Sequence, residues 1–138
     1  MSELDQSSLV SLRMGHLSMI ESVIARLSGH SATVKNLCVT VYLAVFALAA
    51  SSHNASLLWV AVIAPALFAM LDAYYLGVER SFRDFYSQVA KRALSEAGNV
   101  AMEQGKAKPI VAFFRPAVWP FYALQSALSL TVILKGLQ

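Results

Sequence analysis

The feature that most constrains this chain is a run of twenty-one residues, 56–76 (SLLWVAVIAPALFAMLDAYYL), whose single charge is Asp72. A helix needs about 20 mostly apolar residues to cross the hydrocarbon core of a bilayer. Trp59 lies near one end and Tyr74 and Tyr75 near the other, where interfacial aromatics belong. Pro65 falls at mid-depth, where it gives a kink that neighbouring helices accommodate. The run predicts a membrane-spanning helix.

Two weaker runs flank it. Residues 37–50 (LCVTVYLAVFALAA) are apolar, and adding 33–36 brings the stretch to bilayer length, with Lys35 able to snorkel to the interface. Residues 116–134 (PAVWPFYALQSALSLTVIL) form the third run. Pro116 suits a helix start, while Pro120 and Gln125 make this span less regular than the second. Composition agrees: 57% of the 138 residues are hydrophobic and 14% charged, against about 45–50% and about 25% in soluble domains. So few charges cannot cover a water-soluble domain of this size.

The remaining segments read as follows. Residues 1–32 form an N-terminal cytoplasmic segment, with Leu9, Leu12, His16, Ile20, Val23 and Leu27 at helical spacing. This predicts an amphipathic helix that stops near Gly29 and packs on protein. Spans follow at 33–50 and 56–76, joined by a tight connection around His53. The second helix continues to about residue 97, with Glu79 and Arg83 four apart in the favourable order, so that half of it projects into the cytosol. Residues 98–115 are expected as a cytoplasmic loop and 116–134 as a third membrane helix. The fold class expected is an all-α integral membrane protein, one membrane domain throughout.

Orientation follows from the basic residues. Arg13, Arg26 and Lys35 precede the first span, and Arg80, Arg83, Lys91, Arg92, Lys106, Lys108 and Arg115 lie between the second and third. The short connection 51–55 has none. Three spans with the N-terminus inside put ten of the eleven basic residues on the cytoplasmic side and leave Lys135 outside, the expected bias. This accounts for the net charge of +3 without invoking nucleic acid. The first residues are mildly acidic and not apolar, unlike a secretory signal.

Asp72 is the most informative single residue, because an ionisable group within a span is a functional candidate by default. In an antiparallel hairpin turning at His53 it falls opposite Val34 and Lys35, and an Asp72–Lys35 pair at the interface is favoured over an ion pathway. Ala69 and Ala73, and Ala123 and Ala127, are each four apart. Small residues at that spacing allow close helix approach, here read as favouring oligomerisation over intrachain packing. His16, His30 and His53 are scattered without metal-ligand spacing, and no nucleophile elbow or phosphate loop is present. Cys38 is alone, so no internal disulfide forms. Tyr74, Tyr75, Phe82, Phe85 and Tyr86 read as belt and packing residues. Asn54-Ala55-Ser56 matches a glycosylation sequon. No catalysis, cofactor or metal is expected.

Residues 71–76 (LDAYYL), Glu79-Arg80, Phe82-Arg83 and Tyr86 form a pattern. With it go His16, Leu17, Ile20, Ile24 and Arg26, and the Ser31-x-x-x-Lys35 entry to the first span. Over residues 15–86 the chain resembles the RipA-like octameric membrane proteins of the bacterial inner membrane. The third apolar run is not part of that pattern. The resemblance implies a homo-oligomeric ring in the inner membrane. Lys35, Asp72, Glu79, Arg80 and Arg83 would tie protomers together at the membrane–cytosol boundary or line a vestibule there.

Three functional classes are expected. The first is a homo-oligomeric inner-membrane assembly, N-terminus cytoplasmic and C-terminus outside, enclosing a pore or vestibule and contacting membrane lipid, including anionic head groups. The second is a membrane-permeabilising effector or toxin. The third is a membrane-anchored adaptor that recruits a cytosolic partner through its extended helix.

Overall fold

The fold comes from a computed structural model that describes residues 3–52, 56–102, 105 and 107–136. All regular structure among them is helical: α1 (Glu3–Ser52), α2 (Ser56–Lys91), a 3-10 turn (Leu94–Glu96), α3 (Pro109–Phe113) and α4 (Trp119–Gly136). Most of the connection expected around His53, with Asn54 and Ala55 of the sequon, lies outside the described residues, as does Lys106.

The first expectation to be corrected is the break near Gly29. The amphipathic segment and the first apolar run are one helix of 50 residues, about 75 Å long at 1.5 Å per residue. A glycine inside a helix costs only about 1 kcal/mol relative to alanine. Thr33 Oγ1 donates to the Gly29 carbonyl at 3.0 Å, a back-bond that bends a helix more readily than it ends one. The seven residues after Gly29 contain no proline to stop the helix.

α1 and α2 form an antiparallel hairpin whose register is constant from end to end. Arg13 meets Val89, Ile20 packs with Phe85, His30 stacks on Tyr75 and Lys35 reaches Asp72. Two clusters hold it. Near the free ends Ile20, Phe85 and Val89 are buried, with Leu17, Ile24, Phe82 and Tyr86 around them. In the middle Cys38, Ala69 and Ala73 are buried with Val118 and Tyr122, so the C-terminal part of the chain closes this second cluster.

The helix after the second apolar run stops earlier than expected, at Lys91 rather than near residue 97. α1 caps this end. The Arg13 guanidinium donates to the carbonyls of Val89 at 2.8 Å, Arg92 at 3.0 Å and Ala93 at 2.7 Å. Val89 lies in the last turn of α2 and Arg92 and Ala93 just beyond it, so the cation meets the negative end of the helix dipole.

Residues 98–115 are not purely a loop, since they contain α3, with proline in its first turn. This segment folds back on α2. Gly77 lets it approach: a Cβ there would come within 3.2 Å of the Pro109 backbone. α4 begins at Trp119, not Pro116, which sits in a turn closed by Val118 N–H to the Arg115 carbonyl at 2.9 Å. Pro120 therefore falls in the first turn, where its missing N–H costs nothing.

Two helices among the described residues, α1 and α2, are long and apolar enough to cross a membrane. α4 has 18 residues, about 27 Å, slightly less than the roughly 30 Å of a hydrocarbon core.

Candidate functional site

The polar groups of the apolar segments gather on one seam between α1, α2 and α4. At its boundary end stands Asp72, which is wholly buried. Lys35 Nζ donates to its Oδ2 at 2.5 Å, Tyr122 OH donates to the same oxygen at 3.2 Å, and the Ser31 hydroxyl donates to Oδ1. Lys35 also reaches Ser31 Oγ at 3.0 Å. The expected Lys35–Asp72 pair is therefore present, within a four-residue cluster. Ser31 and Lys35 share a face of α1 because they are one helical turn apart. A buried carboxylate with an opposite charge and two hydroxyl donors meets the condition for keeping a charge out of water.

Deeper in the apolar region the seam continues without further charges. Cys38 Sγ–H donates to Gln125 Oε1 at 3.1 Å, and Tyr42 OH donates to the Gln125 carbonyl at 3.1 Å. The innermost part is built around a proline. Pro65 has no N–H, so the Ala61 carbonyl one turn earlier loses its helical partner. Ser129, itself wholly buried, stands 3.3 Å from that carbonyl. Ser126 Oγ donates to the neighbouring Val62 carbonyl at 3.1 Å. A hydroxyl from an adjacent helix can thus partner the carbonyl that the proline leaves free, the way such carbonyls are satisfied in proline-containing membrane helices. The single Ser129 proton has two competing acceptors, Tyr42 OH at 3.3 Å and the Gln125 carbonyl of its own helix at 3.1 Å.

This arrangement locks three helices together. Asp72 is already satisfied by three donors and has no exposed edge, and Lys35 is the member of the cluster that reaches the surface. Among the described residues no group of three or more His, Cys, Asp or Glu is placed to hold a metal.

The other expected site residues lie about two turns further along α2. Glu79 is buried and accepts from Arg83 Nε at 2.7 Å; Arg83 is largely exposed. With Arg80 they line a cavity of about 780 Å³ between α2 and the returning chain, Gly105 and residues 107–112. Glu79, Arg80 and Arg83 thus share one site, separate from the Lys35–Asp72 cluster.

The alanines divide. Ala69 and Ala73 are buried against Cys38 and Tyr122 inside the chain, so the oligomer contact expected of them is a contact with α1 and α4 instead. Ala123 and Ala127 face outward, Ala123 in a groove with Trp119 and Phe114. Tyr75 stacks on His30, and Phe85 meets His16 edge-on at 5.9 Å. His16 is buried, and its Nε2 has no hydrogen-bond partner among the described residues.

Sequence reasoning does not single out Tyr122, Gln125, Ser129 or Arg13 as site residues. A signal for Ser129 exists: an apolar run broken by proline calls for hydroxyls on a neighbouring helix, and the third run has Ser126 and Ser129. Arg13 has no such signal, because its acceptors are 76–80 residues away.

Comparisons with protein-family models, with curated proteins and with solved structures find no match to this chain.

Proposed function

We propose that the chain is the subunit of a homo-oligomeric assembly in the bacterial inner membrane, enclosing a pore or a cytoplasmic vestibule. In this reading α1 and α2 cross the bilayer, α4 is seated against them as a third membrane segment, and the free ends of the hairpin stand in the cytosol with the N-terminus. Basic residues support that orientation, being concentrated near the free ends of the hairpin and in the segment after α2.

The observation that carries the oligomer is the outward face of α1 before the membrane. Gly15, Ser22 and Gly29 recur every seven residues, as do Ser11, Ser18, Ala25 and Ala32, and all are exposed. Leu12, Met14 and Met19 border this strip, each about half exposed or more. On a helix standing in water such a face calls for a partner. A heptad repeat of small residues fits a second helix packed closely alongside. Glu21 and Arg26 lie five residues apart on the two borders of the strip, Glu21 on the border nearer α2, where it also accepts from Tyr86. That is the spacing at which parallel helices exchange ion pairs across a heptad seam, so the second helix is another copy of α1 in the same direction. The resemblance of residues 15–86 to the RipA-like octameric membrane proteins supports the same reading.

The test is the mass of the full chain purified in mild detergent. The proposal expects a defined multiple of 15.0 kDa, reduced to smaller species by Ser18→Trp on the outward face of α1. A wild-type monomer would overturn it.

A further inference from the structure

Where α2 leaves its apolar stretch, the chain builds a second, chemically different place. The segment 107–112 returns to α2 at Gly77 and, with Gly105, leaves the 780 Å³ cavity beneath it. Leu76 and Val111 line the part nearest the apolar stretch; Arg80, Ser81, Asp84 and Lys108 line the rest. The charges can be paired off. Glu79 and Arg83 neutralise each other. Neither Arg80 nor Lys108 has an ion-pair partner among the described residues. With Asp84 they leave the described lining of the cavity one net positive charge.

α3 fixes the depth of this cavity relative to lipid. Its side chains Ile110 and Val111, and Phe114 just beyond, are 57–75% exposed, while Lys108 and Arg115 flank them. Apolar side chains facing outward between two cations suit the boundary between acyl chains and head groups.

We propose that this cavity seats the headgroup of an anionic phospholipid. Its phosphodiester, of charge −1, lies between Arg80 and Lys108; Ser81 lines the same pocket, its hydroxyl proton donated to the Val78 carbonyl at 2.8 Å. Its acyl chains run toward the membrane along Leu76 and Val111. The bound lipid would hold the returning segment on α2. The inference rests on the membrane reading above, but its test does not require the oligomer.

The full chain in a neutral detergent is titrated with dioctanoyl phosphatidylglycerol, dioctanoyl phosphatidylcholine and inorganic phosphate, with binding followed by native mass spectrometry. One phosphatidylglycerol per chain is expected, bound about tenfold or more tighter than phosphatidylcholine. Arg80→Gln/Lys108→Gln should weaken it about tenfold or more with helical content and thermal unfolding unchanged. Lys108→Gln alone, at an exposed position, gives the same direction should the double variant fail to fold. Equal binding of the two lipids, or no loss in the variants, overturns the site. Inorganic phosphate that displaces the lipid at comparable concentration overturns the lipid assignment in favour of a free phosphate. A chain that is soluble without detergent refutes the membrane reading separately, whatever the titration shows.

Discussion

At the scale of the residue, Asp72 and Lys35 are unequal partners. Asp72 is wholly buried, whereas the Lys35 side chain keeps about a quarter of its surface exposed. Removing the lysine leaves a buried carboxylate with only hydroxyl donors, and breaking a buried pair in this way costs about 3–5 kcal/mol. Lys35→Met should therefore destabilise the chain by roughly that much in mixed-micelle unfolding. Asp72→Asn keeps the shape and leaves a lysine that can reach water, and should cost less. Equal losses in the two variants would mean that Lys35 does not compensate the carboxylate. Arg13→Met removes three donors from the end of α2, where a charged hydrogen bond is worth about 1.5–3 kcal/mol. Hydrogen exchange should then rise over residues 85–93 first, and unchanged exchange there would refute the cap. His16 is the opposite case: its buried Nε2 has no partner among the described residues, so His16→Leu should raise stability by about 1 kcal/mol. A loss of stability would mean that the imidazole makes a contact the packing does not reveal.

At the scale of the element, the bond between Pro65 and α4 is testable as a coupling. Ser129→Ala should cost about 0.6–1.7 kcal/mol in the wild type. It should cost little in a Pro65→Ala background, where the Ala61 carbonyl regains its own helical donor. Additive effects would show that Ser129 serves only its own helix. The same elements show what the sequence makes legible. Runs of apolar residues locate α1, α2 and most of α4, because burial in lipid or in a core depends on composition over a whole stretch. Antiparallel counting from the turn finds Lys35 opposite Asp72, because one constant register relates the two helices. The continuity of α1 through Gly29 is not legible, since the local cost of one glycine is smaller than the packing on both sides of it. α3 escapes a sequence reading because five residues hold too little periodicity to register. Tyr122 joins the Asp72 cluster, and Arg13 caps α2, through contacts 50–80 residues apart in the chain.

At the scale of the whole molecule, the chain is a long hairpin with one short helix seated on its middle. Within their most apolar stretches, 17% of α1 and 33% of α2 are buried by the chain itself. The core helix of a soluble domain would be mostly enclosed, so the rest of these surfaces calls for lipid or for other copies. In the proposed assembly two partners divide them. Lipid covers Leu43, Leu48, Ile63 and Leu67, all exposed within the apolar stretches, and another α1 covers the strip from Ser11 to Ala32. The extension of α2 beyond Leu76 is less available to a cytosolic adaptor partner than an isolated helix would be, because Phe85 and Val89 are already buried against Ile20.

The central claim, parallel self-association along α1 in a membrane, is tested most directly by disulfide crosslinking in native membranes. Cys38 is the one cysteine of the chain, so a Cys38→Ser background is free of thiols. Single cysteines are then placed at Ser18 or Ala25, on the outward strip, and at Ile20, which faces α2. Disulfides need Cβ atoms about 3.5–4.5 Å apart, a distance reached across a close parallel seam between identical positions. Parallel association predicts oxidised dimers of membrane-bound chain for Ser18→Cys and Ala25→Cys and none for Ile20→Cys. Failure of both outward positions to crosslink, or equal crosslinking at Ile20→Cys, would contradict it.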